Sequence, residues 1–192
     1  MSLWGTTDGT KPKFLTDEEK KLVFANASGW VLESGSESAK FTGNNNPDAQ
    51  PEVLVAIGSL ATRIGAATIT EIEWVTTAFD KSDGGTLDIR VRYNEEVVVT
   101  GSPRFLITNQ TSSSRNITLN HHSGSGTNEL VFRKTIAAGN AATNAGDVLK
   151  VVANPISQHS GSTIKDKTTS ENAEITSSLS IGTAAGTLTV SA

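Results

Sequence analysis

The sequence predicts an all-β protein: an antiparallel β-sandwich preceded by an N-terminal extended arm containing one short helix. Three observations carry this. From Thr68 onward, short apolar runs recur at regular spacing, separated by Gly, Asn, Ser and Pro turn signals. In Thr86–Tyr93, Leu87, Ile89, Val91 and Tyr93 alternate with Asp88, Arg90 and Arg92, the period of a strand with one face in a core and one in water. The first third of the chain is polar and loop-rich, and it holds the one good helix signature. Many short alternating strands pack best as two layers.

Met1–Lys13 reads as an extended arm, because Gly5, Gly9 and Pro12 discourage helix. Trp4 is a large aromatic in a polar setting; it either folds back on its own domain or plugs a pocket on a neighbouring subunit. Thr16–Ala25 is the helix: Thr16 caps it, Glu19 completes a capping box, and Lys20 and Lys21 follow Asp17–Glu19 in the order the helix dipole favours. Leu22, Val23 and Phe24 give it an apolar side, and at about ten residues it must dock on something. Ser28–Leu32 ends that helix and starts a short strand. Glu33–Gln50 is a long polar loop. Pro51–Ile64 holds a second apolar run, either a strand or a buried turn of helix, and Gly65-Ala66-Ala67 reads as a boundary. The arm or docking region is therefore 1–67 and the sandwich 68–192.

In the sandwich, strands are expected at Thr68–Val75, Thr86–Tyr93, Val97–Thr100, Arg104–Thr108, Asn116–Asn120, Asn128–Thr135, Asp147–Val152, Glu174–Ser177 and Thr187–Val190. Ser123–Gly126 joins two of them as a glycine-rich hairpin turn, and Gly182 reads as another turn.

Composition narrows the function. The chain has 192 residues and no cysteine, so the fold needs no oxidising compartment. A β domain of about 120 residues buries roughly two-thirds of its unfolded surface and needs no disulfide or metal. A formal charge of −4 argues against a nucleic-acid or anionic-membrane partner. No apolar run reaches the ~18 residues of a membrane span. Met1–Gly5 lacks the basic and apolar regions of a secretory signal, so standard secretion is not expected.

The residues offer little chemistry. His121 and His122 are adjacent in a strand and point to opposite faces, and His159 is distant in sequence, so no zinc site is expected. No Gly-x-Ser-x-Gly elbow stands between a strand and a helix. Glu95-Glu96 and Asp17–Glu19 have structural explanations, at a strand edge and a helix start. The sequon matches at Asn26, Asn109 and Asn116 are what an Asn-, Ser- and Thr-rich chain produces by chance.

Two resemblances stand beside this reading. The run Thr86–Pro103, continued by Ser123–Thr127, Leu130–Phe132, Ala138–Asn140 and Gly161–Asp166, resembles the immunoglobulin-like repeat domains of bacterial surface adhesins and phage virion proteins. It covers about Thr68–Val190 and implies an immunoglobulin-like sandwich. Those repeats often carry acidic residues after the Ala-Gly step; here Asn140, Thr143 and Asn144 stand there and only Asp147 remains, which argues against a bound cation. Ser2–Gly5, Asp8, Lys11–Thr16, Glu18–Lys20, Val23-Phe24 and Gly29–Val31 resemble the start of structural proteins of marine T4-like tailed phages.

Together these imply a non-enzymatic virion structural protein, assembled in the host cytoplasm, with capsid decoration ahead of a tail role. It would need no cofactor. Its partner would be the major capsid protein or another virion protein, with homo-oligomers in a lattice. The anchors expected to bind the partner are Trp4, Phe14, Leu22, Phe24 and Trp30; burying one such aromatic contributes about 2–3 kcal/mol. The alternative is an adhesin-type module in a tail fibre, recognising host-surface glycan or protein through loops such as Gln110–Ser114 and Ala137–Gly146.

Overall fold

The structure is a computed structural model and describes residues 11–35, 45, 46 and 48–192. Trp4 and most of the polar loop predicted over Glu33–Gln50 lie outside the described residues. The protein is all-β, with two short helices.

The helix α1 spans Asp17–Leu22. Thr16 and Glu19 form the expected capping box: Thr16 N–H donates to Glu19 Oε2 at 2.6 Å, and Glu19 N–H donates to Thr16 Oγ1 at 3.3 Å. The helix stops three residues before the predicted end. Val23–Asn26 instead forms β1, flanked by β2 (Gly29–Leu32) on one side and by β6 (Gly85–Thr100) on the other. Val23, Phe24 and Ala25 are buried in succession, as a strand covered on both faces requires. A β-branched residue followed by an aromatic suits that position better than a helix end.

β3 (Glu52–Ala56) pairs with β2 and ends the sheet. A 3-10 turn at Leu60–Thr62 follows. The described residues of the N-terminal region form a small lobe: Leu22, Val23, Ala25, Trp30, Leu32 and Leu60 make an apolar cluster of their own, with Leu15, Leu54 and Val55 packed against it, while most of the arm predicted over Met1–Lys13 lies outside the described residues. Gly29 is required where β2 crosses β3, because a Cβ there would stand 2.0 Å from the Val55 carbonyl oxygen.

The larger cluster begins at Ala67 and fills the rest of the chain. Its strands are β4 (Ile69–Trp74), β5 (Phe79–Asp80), β6, β7 (Arg104–Asn109), β8 (Ile117–Ser123), β9 (Thr127–Ile136), β10 (Val148–Lys150), β11 (Ile156–Ser157), β12 (Thr163–Asp166) and β13 (Thr187–Ser191). The two strands predicted at Thr86–Tyr93 and Val97–Thr100 are one continuous β6. Its register against β9 shifts between Arg92 and Val97, and there Glu95 faces Ala25 of β1. β4 and β12 pair successive halves of β6. Phe105 and Phe132 pack at 5.5 Å in the centre of the core.

Two pairings make the sheet mixed where an antiparallel one was expected: β1 runs parallel to β6, and β5 runs parallel to β13. No strand forms at Glu174–Ser177. A helix α2 (Leu179–Ala184) follows instead, with Ser178 accepting from Ile181 N–H at its start. Gly182 is not a turn but a contact point, since a Cβ there would lie 2.8 Å from the Val152 carbonyl oxygen.

The predicted polar face of β6 is not in water. Asp88 and Arg92 are buried, and α1 and β1 pack against this strand. The register places Glu71 of β4 and Glu129 of β9 on either side of Arg92. Arg92 ion-pairs with Glu71, with Glu73 at 2.9 Å and with Glu129 at 2.6 Å. Burial works against its charge, but the carboxylates of Glu129, Glu73 and Glu71 more than offset it and raise the guanidinium above its ordinary value.

Candidate functional site: a polar cleft between lobe and sheet

The expected docking anchors fall in three groups. Phe14 is 71% exposed and open to a partner. Leu22, Phe24 and Trp30 are not: they are buried in the chain's own fold, at 6%, 1% and 0% exposure. Leu22, at the end of α1, and Trp30, in β2, belong to the lobe's apolar cluster, and Phe24 lies in β1, which is paired on both edges. Trp30 is also covered by Lys11, whose ammonium lies 5.7 Å from the ring centroid. Trp4 lies outside the described residues. The four anchors among the described residues thus divide into three buried residues and one surface residue.

A different feature emerges where the lobe meets the sandwich. A cleft of about 280 Å³ is lined by Glu33 and Ser34, which follow β2, by Arg90 of β6, and by Asn128 and Glu129 of β9 beside the β8–β9 hairpin. The hairpin takes this path because of Gly124, which has φ +99° and passes so close to β9 that a Cβ would meet the Glu129 carbonyl oxygen at 1.9 Å. The cleft's hydroxyls are committed to main-chain carbonyls: Ser34 Oγ donates to Ala49 O at 2.7 Å, and Thr127 Oγ1 to Gly124 O at 2.8 Å.

Two groups in or beside the cleft lack such commitments. Asn128 is 1% exposed, yet neither its carboxamide oxygen nor its nitrogen has a hydrogen-bond partner among the described residues. A buried amide left this way forfeits about 1–3 kcal/mol. Glu33 has no cation paired with it among the described residues; burial, followed by the negative charges of Glu129 and Glu96, pushes its carboxyl up to about 6. The cations nearby are already taken: Arg90 meets Glu73 at 3.0 Å and Glu129 at 3.4 Å, and Arg92 is held as described above. The cleft can therefore offer a ligand the Glu33 carboxylate, whereas the Asn128 carboxamide lies on the core face of β9 with Leu130 and Phe132.

Glu33 read as the first residue of a loop, and Asn128 as the first residue of a strand. The signal that could have found Asn128 was parity. Asn128, Leu130 and Phe132 share one face of β9, so a polar residue stood at a core-facing position. Glu33 carried no such signal, because its burial comes from the packing of the lobe.

The histidines sit apart. His121 packs edge-on to Phe132 at 6.0 Å, and burial lowers its pKa; His122 Nε2 lies 2.9 Å from Arg133 Nη1. Asp147, the carboxylate remaining after the Ala-Gly step, is bound by Arg115 through both oxygens. Among the described residues no group of three or more His, Cys, Asp or Glu is placed to hold a metal ion. None of their helices is long and apolar enough to cross a membrane. No family model, curated protein or solved structure matches the chain.

Proposed function

We propose that this is a non-enzymatic virion structural protein of a tailed phage, a capsid decoration protein that docks on the major capsid protein or another virion protein through its N-terminal lobe. The observation that carries the reading is the lobe's outer surface. β3 ends the sheet, so one of its edges pairs with no other described strand, and Val53 on it is 48% exposed. An unpaired strand edge is a template for a strand from another chain. Phe14 adds an exposed aromatic, and its neighbour Leu15 packs in the same cluster as Leu54 and Val55 of β3.

The immunoglobulin-like reading of the sandwich belongs to the same proposal. The order β4-β6-β9 corresponds to the A-B-E side of such a domain, and β13-β10-β7 to its G-F-C side. β8 departs from that scheme by pairing with both β7 and β9.

The test is the double variant Phe14→Ser, Val53→Lys, since both positions are exposed and the fold should survive. Particles lacking the protein are mixed with each form and sedimented. Losing one buried aromatic contact weakens binding roughly tenfold or more. Incorporation equal to that of the unaltered protein would sink the docking surface.

The cleft favours a second reading, an adhesin-type module that recognises a host-surface glycan or protein, because Glu33 lines it with no cation paired to it among the described residues. A glycan array and a cell-binding assay with the full chain decide between the two.

A further inference from the structure

We infer that the outer face of β8, β7 and β10 is an interaction surface for a second copy of this chain, which meets it head-to-tail through Asp48 and Glu52 of its lobe. The contact is made by side chains and leaves the main-chain edge of β3 and Phe14 to a virion protein.

The charge of the chain is segregated, and the fold concentrates it. Residues 97–128 and 148–165 contain no Asp or Glu. They carry Arg104, Arg115, Lys150 and Lys165, so the remaining residues hold all 20 acidic side chains against 12 of the 16 Lys and Arg, a formal −8. β7 brings the two acid-free segments together: β8 pairs with one of its edges, and β10 and β11 pair with the other. Alternation turns Phe105, Ile107 and Leu119 into the core and Arg104, Leu106, Thr118 and Asn120 outward. Lys150 joins the outward set opposite Thr108. Leu106 is 40% exposed, and no ion pair holds Arg104 or Lys150 among the described residues. The face is therefore apolar at its middle and cationic at both ends.

Charge complementarity identifies the occupant. A two-fold contact of this face with itself would oppose cation to cation. An extended polyanion would run off the face onto the acidic remainder. The same chain offers the complement: Asp48 and Glu52 are exposed, and no ion pair holds either among the described residues. Their spacing fits. Arg104 and Lys150 stand about 14 Å apart, four residues along β7 and one strand across. Four residues of extended chain separate Asp48 from Glu52 by at most about 14 Å. At physiological salt the overall charge of each copy is screened beyond about 8 Å, so the groups at the contact decide. Because the two patches differ, the contact is heterologous and repeats from copy to copy, which suits a lattice.

The test is sedimentation equilibrium of the full-length protein without particles, so its failure is distinct from a failure of particle binding. The unaltered protein should self-associate with Kd on the order of 100 µM. Raising the salt from about 0.1 to 1 M should weaken this roughly tenfold. Arg104→Glu with Lys150→Glu should abolish association, and so should Asp48→Lys with Glu52→Lys. None of these four side chains holds a partner among the described residues, so the fold should survive, read as unchanged thermal unfolding. Mixing the two double variants re-creates the charge pairing and should restore association. A protein that stays monomeric at high concentration overturns the inference. So does association indifferent to either double variant, or a mixture of the two that stays monomeric. A duplex DNA oligonucleotide is added in a separate run; binding of DNA without self-association assigns the face to nucleic acid and overturns it as well.

Discussion

Asp147→Asn isolates one buried charge pair and measures how much it holds. Asp147 is fully buried, while Arg115 keeps about a quarter of its side chain exposed. Arg115 Nε and Nη2 donate to the two carboxylate oxygens at 2.9 and 2.6 Å, and the Asn144 N–H donates at 2.8 Å. This closes the loop between β9 and β10 and ties it to the 3-10 turn before β8. The hydrogen bonds from Arg115, helped by Asn144 and opposed by burial, hold the carboxyl at about 2 against an ordinary 3.8. A folded-state pKa below the unfolded value means stability that is present above 3.8 and lost as pH falls through 2. The gap corresponds to about 2 kcal/mol, and solvent screening through the exposed side of Arg115 trims it to about 1–2 kcal/mol. The substitution should cost that amount at pH 7, read as the difference in urea unfolding free energy between the two proteins. Because Asn does not titrate, the difference should narrow below pH 4 and be largely gone by pH 2. A difference unchanged from pH 7 to pH 2 would refute the reasoning and assign the loss to packing instead of charge.

Two more outcomes follow from the geometry. Gly124→Ala forces a Cβ against the Glu129 carbonyl at a left-handed φ, so it should destabilise the chain by about 2–4 kcal/mol in urea unfolding; a loss below ~0.5 kcal/mol would mean that the hairpin does not cross as described. Trp30→Ala empties the centre of the lobe cluster and should cost about 3–5 kcal/mol there. Hydrogen exchange should show β1–β3 losing protection while β6 and β9 keep theirs; a lobe that stays protected but no longer binds particles would restore Trp30 as a docking anchor.

Much of this molecule is legible from local patterns. The alternation Leu87, Ile89, Val91, Tyr93 placed those side chains in the core, where all four are fully buried. The Thr16–Glu19 capping box and the glycine turn at Ser123–Gly126 depend on residues a few positions apart, and both form. Phe79–Asp80, Ile156–Ser157 and Thr163–Asp166 were not legible as strands, since two to four residues are too few to carry a period. Among the docking anchors, Phe14 kept its exposure, but Leu22, Phe24 and Trp30 did not, because an apolar side chain has the same sequence signature whether its own core or a partner covers it.

The sequence by itself determined the all-β class, the positions of most long strands, the helix start and the apolar face of each strand. These follow from side-chain period, turn chemistry and capping, which act over a few residues. Tertiary structure alone decided what lies against the polar faces. Arg92 reads as a solvent-facing residue in an alternating strand; it is buried because Glu71, 21 positions before it, and Glu129, 37 positions after it, are brought alongside in register and the lobe closes over them. The parallel pairs β1–β6 and β5–β13, the strand where a helix end was expected, and the cleft joining Glu33 to Asn128 arise in the same way. Each depends on pairings between distant segments, and local periodicity says which face of a strand is apolar but not what is packed against the other.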